Sequence, residues 1–214
     1  MQTIAHENGT REGKITELRA LLGEKFPQPI VRRGGSSVAA GSGFPELRGG
    51  VVTEVTGSIG SGALFLDALI ASAQSGGLLV ALVDGSSSFD VVPMRGQPGR
   101  LLWVLCKEAS AAIKAADLLL RDGNLPLVVL DLQMNRDLSR IPATTWYRFQ
   151  RMMELSAATF VVLTPHPLVS SAAERFELRG GWTLREIQQR RTELKPTATR
   201  IHRRALAVLE RQTA

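Results

Sequence analysis

The apolar positions of this chain fall into two kinds of run. "LLVALVDG", "RLLWVLC", "LPLVVLDL" and "ATFVVLTP" are short and nearly continuous in apolar residues. That pattern predicts strands covered on both faces. "GVVTEVTG" is a fifth short run, β-rich and followed by a turn. Between these runs lie stretches with helical character. "ALFLDALIASAQSGG" is apolar and ends at Gly76–Gly77, and "EASAAIKAADLLLRDG" consists of good helix formers with Gly123 as its C-cap. In "RIPATTWYRFQRMMELS" Pro142 suits a helix start, and Trp146, Phe149 and Met153 share one face. Strands that alternate with helices predict an α/β fold with a mostly parallel sheet and helices on both sides.

The two ends differ from this body. "REGKITELRALLGEKFP" places Ile15, Leu18, Leu22 and Phe26 at helical spacing, an amphipathic arm that stops before Pro27. These four side chains are candidates for docking on the chain's own core or on a neighbour's. "VRRGGSSVAAGSGFPELRGG" is rich in Gly and Ser and reads as a linker. Beyond Thr164 comes a loop with room for a short strand. Thr183 and Glu186 then form a Thr-x-x-Glu capping box, with Trp182 and Ile187 placed as a hydrophobic staple. A helix over about 184–194 is expected, and a last helix opens at Pro196. On that last helix Ala198, Ile201, Ala205, Val208 and Leu209 form an apolar stripe, flanked by Arg200, Arg204 and Arg211. The predicted organisation is therefore an N-terminal arm and linker over 1–45, a core over 46–180, and a basic C-terminal helical segment over 181–214.

Charge sharpens the view of the last segment. Of the net +6, five units lie between Glu174 and Ala214, where ten Lys/Arg face five Asp/Glu. A basic segment on a balanced body suits an acidic partner, protein or nucleic acid. Aromatic residues make up only 5% of the chain, too few for a base-stacking platform, so DNA would be met through arginine–backbone contacts if at all. No apolar run is long enough to span a membrane, and "MQTIAHENGTREGK" has no signal-peptide core, which points to a cytoplasmic protein. Cys106 is the one cysteine and is expected to be a buried structural thiol. His6, His166 and His202 show no metal-ligand spacing, so no metal or cofactor is expected.

The chemically informative stretch is "TGSIGSGALF". Gly57 and Gly62, with Gly60 between them, have the spacing of a phosphate-binding loop between a strand and a helix. Such a loop surrounds phosphates with backbone N–H groups, reaches them with a lysine and ligates magnesium with a hydroxyl. Ala63 and Leu64 stand where the lysine and the hydroxyl residue belong. Asp131, at the end of "LVVLDL", stands where a metal-coordinating aspartate would end a strand; the alternative is that it caps a turn. Phosphoryl transfer needs positioned charge, so the chain is expected not to be an enzyme.

The segment "GGVVTEVTGSIGSGALFLDALIASAQSGGLLVALVDGSSSFD" resembles the start of a RecA-type core. In active members a catalytic glutamate follows the second strand; here Gly85, Ser86, Ser87 and Ser88 occupy that stretch. Together with "AADLLLRDGNLPLVVLDL", "RIPATTWYRFQRM" and "FVVLTPHPLVSSAAERFEL", the chain from about Leu47 to Leu178 resembles the ImuA family. The resemblance implies a RecA-like accessory protein of SOS-induced translesion DNA synthesis. Its partners would be an ImuB-like protein, RecA and an error-prone C-family polymerase, and a homo-oligomer is compatible with an arm that docks on a neighbour. Two other readings stay open. One is a SulA-like division inhibitor that binds FtsZ. The other is a weak RecA-like ATPase that borrows Lys107 or Lys114.

Overall fold

All five predicted buried runs are strands of one sheet. In the computed structural model, β3 (Val52–Thr56), β4 (Val80–Asp84), β5 (Leu101–Leu105), β6 (Leu127–Asp131) and β7 (Thr159–Thr164) run parallel. β8 (Glu174–Leu178) joins β3 in parallel, and β9 (Ala198–Arg203) pairs antiparallel with β8. The resulting order is β5-β4-β6-β7-β3-β8-β9. This is an α/β, RecA-like architecture: a seven-stranded, mostly parallel sheet flanked by helices. A two-stranded ribbon, β1 (Ser37–Val38) with β2 (Leu47–Arg48), precedes it. The structure describes residues 37–40, 44–90, 100–179, 183–189, 194 and 197–203. The chain divides into two units, 1–30 and 31–214, and every described residue belongs to the second.

Helices close both faces of the sheet. α1 (Ile59–Ser75) buries Phe65, Leu66, Leu69 and Ile70 against Val80, Leu82, Val129 and Leu163. On the other face, α2 (Ala109–Asp122) and α3 (Ala143–Glu154) bury Ile113, Trp146, Phe149 and Met153 against Val83, Leu130, Phe160 and Val162. Successive residues of β4, β6 and β7 thus feed opposite cores, which is why those strands are apolar along most of their length. The capping expectations for these helices match their ends. Gly123 closes α2 in the left-handed conformation, at φ 71°, and Pro142 is the N-cap of α3.

β5 departs from the expectation. It was predicted to be covered on both faces, but Leu101 to Val104 are half-buried and Leu105 is 54% exposed. Trp103, predicted to be core, is half-buried too. The reason is position: β5 is the first strand of the sheet order, so it has only β4 beside it among the described residues.

The C-terminal segment departs further. The capping box forms, with Thr183 Oγ1 accepting from Glu186 N and the Glu186 carboxylate accepting from Thr183 N. These bonds hold the Glu186 carboxyl below its usual range. The helix it starts, α4 (Leu184–Ile187), is a single turn and not a helix to residue 194. Trp182 lies outside the described residues. The predicted last helix is replaced over Ala198–Arg203 by β9. β8 would otherwise present a row of unpaired N–H and C=O groups, and pairing them outweighs a modest helix propensity. On a strand, Ala198, Ile201 and Arg200 no longer make a helical stripe with an arginine flank; Ile201 is 46% exposed. Arg204, Ala205, Val208, Leu209 and Arg211 lie outside the described residues.

These placements also redraw the predicted boundaries. Val38, Ala40 and Phe44, assigned to the linker, are buried with Leu47 in the core beneath α1. β9, assigned to a separate helical segment, is a strand of the core sheet.

Candidate functional site

The glycine stretch is built differently from a phosphate-binding loop. β3 ends at Thr56, and α1 begins at Ile59, so Gly57 and Ser58 alone join them. Gly57 is at φ 156°, and a Cβ there would lie 2.8 Å from Leu178 Cβ, so both its backbone and its surroundings call for glycine. The expected turn over Gly57–Gly62 is therefore shorter, and Gly60 and Gly62 lie in the first turn of α1. The Gly62 N–H donates to Ser58 O at 2.9 Å as an ordinary helical bond. An N–H used this way is not free to face a phosphate. Ser58 and Ser61 share a hydroxyl bond of 2.8 Å, and the Ser61 hydroxyl also donates to the carbonyl of Arg179 just beyond β8.

Gln133 fills the space beside this turn. A Cβ on Gly62 would lie 1.7 Å from Gln133 Oε1, so glycine at 62 is what lets the Gln133 amide approach. Gln133 Nε2 donates to Gly57 O at 3.2 Å, which ties the end of β6 to the joint. Ala63 and Leu64 are half-buried on α1 and offer neither a cation nor a hydroxyl. The cradle, its lysine and its magnesium ligand are thus replaced by a helix turn, an amide plug and two apolar side chains.

Asp131 stands beside this plug, directly across from Asp84 on the neighbouring strand. Its Oδ1 accepts the Gln133 backbone N–H at 2.9 Å, so it caps the turn that follows β6. Burial pushes its carboxyl up to about 6; the Gln133 N–H opposes this, and the nearby Asp84 charge adds to it. Asp84 is better supplied. Its Oδ1 accepts from Ser86 N (3.3 Å), Ser88 N (3.0 Å) and Ser88 Oγ (3.4 Å). Its Oδ2 accepts from Phe89 N (2.9 Å) and Trp103 Nε1 (3.4 Å). The serine stretch that stands in for a catalytic glutamate is therefore a turn wound around Asp84. Cys106 is buried just past β5, its thiol pushed up by burial and by Asp84. This suits a structural thiol better than a nucleophile.

Two further acids, Glu54 and Glu174, are buried, and neither stands in a motif of the sequence. Glu54, in the middle of β3, is fully buried. Its Oε1 accepts from Thr164 Oγ1 (2.9 Å), Leu168 N (2.6 Å) and Val169 N (3.0 Å). Its Oε2 pairs with Arg175 Nε at 2.5 Å, and Arg175 also donates to Val169 O at 3.0 Å. Glu54 thus pins the loop after β7 to the central strand. Its signal was visible in "VVTEVTG": a charge at a position that the strand must bury.

The other predicted residues do not gather at this site. Arg200 is exposed on β9, its guanidinium 5.1 Å from the centre of the Phe176 ring. Lys107 and Lys114, the proposed substitute cations, are exposed. Ile15, Leu18, Leu22, Phe26, Arg204 and Arg211 lie outside the described residues. Among the described residues no group of three or more His, Cys, Asp or Glu could hold a metal ion, and no helix is long and apolar enough to cross a membrane.

Fold and site together define a class: a RecA-like α/β domain whose nucleotide-loop position is occupied by its own side chains. No family model matches the chain, and no curated protein matches it.

Proposed function

We propose that this protein is a non-catalytic RecA-like accessory factor of SOS-induced translesion DNA synthesis. It would bridge RecA and a complex of an ImuB-like protein with an error-prone C-family polymerase. The observation that carries the non-catalytic half is the Gln133 amide seated beside Gly62, with α1 starting only two residues after β3. A nucleotide fold closed by its own side chains keeps rigid surfaces for contacts while lacking the positioned charge that phosphoryl transfer needs. The likeness of the ordered segments to the ImuA family supports the repair setting. The basic C-terminal stretch supports an acidic partner surface, with Arg179, Arg185 and Arg200 exposed among its described members.

The test has two arms. A tagged chain co-expressed with an ImuB-like protein and RecA retains both on purification, and Arg200→Glu weakens that retention. A point substitution is the proper probe, because truncation after Pro196 would strip a strand from the sheet. Calorimetry with ATP and magnesium shows no binding tighter than about 100 μM, roughly 5.5 kcal/mol on the affinity scale. Capture of FtsZ with neither repair partner would overturn the setting. ATP binding below that threshold would overturn the non-catalytic reading.

A further inference from the structure

The two edges of the sheet are unlike. β9, at one edge, carries Arg200, His202 and Arg203, and its pairing with β8 has a register irregularity. Charge and irregularity on an edge strand are the usual devices that stop another strand from adding. β5, at the other edge, reads Leu-Leu-Trp-Val-Leu and carries neither charge nor proline. It is the least covered strand of the parallel set, yet the most apolar in sequence.

Among the described residues no strand lies on the outer side of β5, and its backbone faces outward in a definite pattern. Cys106 N–H donates to Asp84 O on β4 at 2.8 Å. Alternate residues of a strand turn their N–H and C=O groups to the same side, so Leu102 and Val104 also face β4. Leu101, Trp103 and Leu105 therefore direct theirs away from the sheet. Such groups need hydrogen-bond partners, and on an apolar edge strand they form a template for a further strand.

We infer that β5 is a dimerisation edge, at which two copies of this chain pair antiparallel through Leu101–Leu105 about a two-fold axis at Trp103. The sequence is self-complementary in that register. Trp103 meets Trp103, Leu101 meets Leu105, and Leu102 meets Val104, so every rung is apolar on apolar. Arg100, the nearest cation, falls opposite Cys106 and meets no like charge. Leu105, 54% exposed in one copy, is covered by Leu101 of the second. The Trp103 indole is already held in place, edge-on to Phe89 with ring centres 6.0 Å apart and its N–H directed at Asp84. A fixed ring loses little freedom on pairing. β9 paired with its own copy would bring Arg200 and Arg203 of each chain into one short ladder, a like-charge cost that the uncharged β5 does not carry, so the chemistry favours the β5 edge. A closed two-fold pairing also consumes the edge and stops at two copies.

Sedimentation velocity of the full chain, over about 1–100 μM, tests this with two variants. Leu105→Pro removes an outward N–H without touching a bond to β4. Leu105→Glu leaves the backbone intact and sets a carboxylate opposite Leu101 of the second copy, at a position already open to solvent. The wild type sediments as a dimer in the upper part of the range, and each variant raises the dissociation constant at least about tenfold. Hydrogen exchange supplies the site: the Leu101, Trp103 and Leu105 amides are protected in the wild type at high concentration and lose that protection in Leu105→Glu. A wild type that stays monomeric throughout, a dimer indifferent to both variants, or open-ended assembly beyond two copies would each overturn the inference.

Discussion

Glu54 and Asp131 are acids buried in the same sheet, with only β7 between their strands, and the fold treats them in opposite ways. Glu54 receives three hydrogen bonds on one oxygen and an arginine on the other. Asp131 receives a backbone N–H from Gln133 and has a second acid, Asp84, as its neighbour across the ladder. The difference shows that depth alone does not decide how a buried carboxylate is held. Burial is the first cause that raises the Asp131 carboxyl, with the Gln133 N–H opposing it and the Asp84 charge adding to it, whereas donors reach both oxygens of Glu54. It also separates two tasks. Glu54 holds a loop that begins 110 residues further along the chain, while Asp131 caps the turn next to it.

The largest effect should come from breaking the better-supplied acid. Glu54→Ala leaves Arg175 without its partner and frees the N–H groups of Leu168 and Val169, and should destabilise by about 3–5 kcal/mol in urea unfolding. A loss below about 1 kcal/mol would mean that the loop finds other anchors.

Asp131→Asn should act in the opposite direction. Asparagine keeps an acceptor for the Gln133 N–H and removes the buried charge. The folded carboxyl lies at about 6, against about 3.9 in an unfolded chain. Between those values the folded state holds a proton that the unfolded state has released, so the wild type loses stability as pH rises through this window. The gain from Asp131→Asn is therefore greatest above pH ~6, on the order of 2–3 kcal/mol, and fades as pH falls toward ~4. A gain independent of pH would break the contrast between the two acids.

Thr164→Val removes one of the donors of Glu54 while keeping shape, and should cost about 1 kcal/mol by thermal or urea unfolding. An effect as large as that of Glu54→Ala would show that the carboxylate depends on this one hydroxyl and not on its whole set of donors. The finest test is Asp84→Asn. It should move the midpoint of the Asp131 pH effect downward, because one of the two raising influences is gone. An unmoved midpoint, followed through the pH dependence of unfolding, would leave burial as the sole cause.

The sequence by itself determined the elements whose cause is local. Continuous apolar runs identified β4, β6 and β7, because a strand covered on both faces needs apolar side chains at successive positions; the run of β5 marked a strand but not its place at the sheet edge, and β3 was legible from its β-rich composition and the turn after it. The Thr183–Glu186 box and the left-handed Gly123 were legible because their partners lie within one helical turn. The missing lysine and hydroxyl at Ala63 and Leu64 were legible as identities. Tertiary structure decided the rest, wherever the determining partner is far along the chain. Gln133 reaches Gly57 across 76 residues, and its amide, together with the early start of α1, turns an expected loop into a plugged helix end. Glu54 draws its donors from 110 to 121 residues away, so its role could not be read from its neighbours in "VVTEVTG". Ala198–Arg203 has residues that a helix would accept. It became β9 because the open edge of β8 needed hydrogen bonds, and that demand exists only once the sheet is assembled.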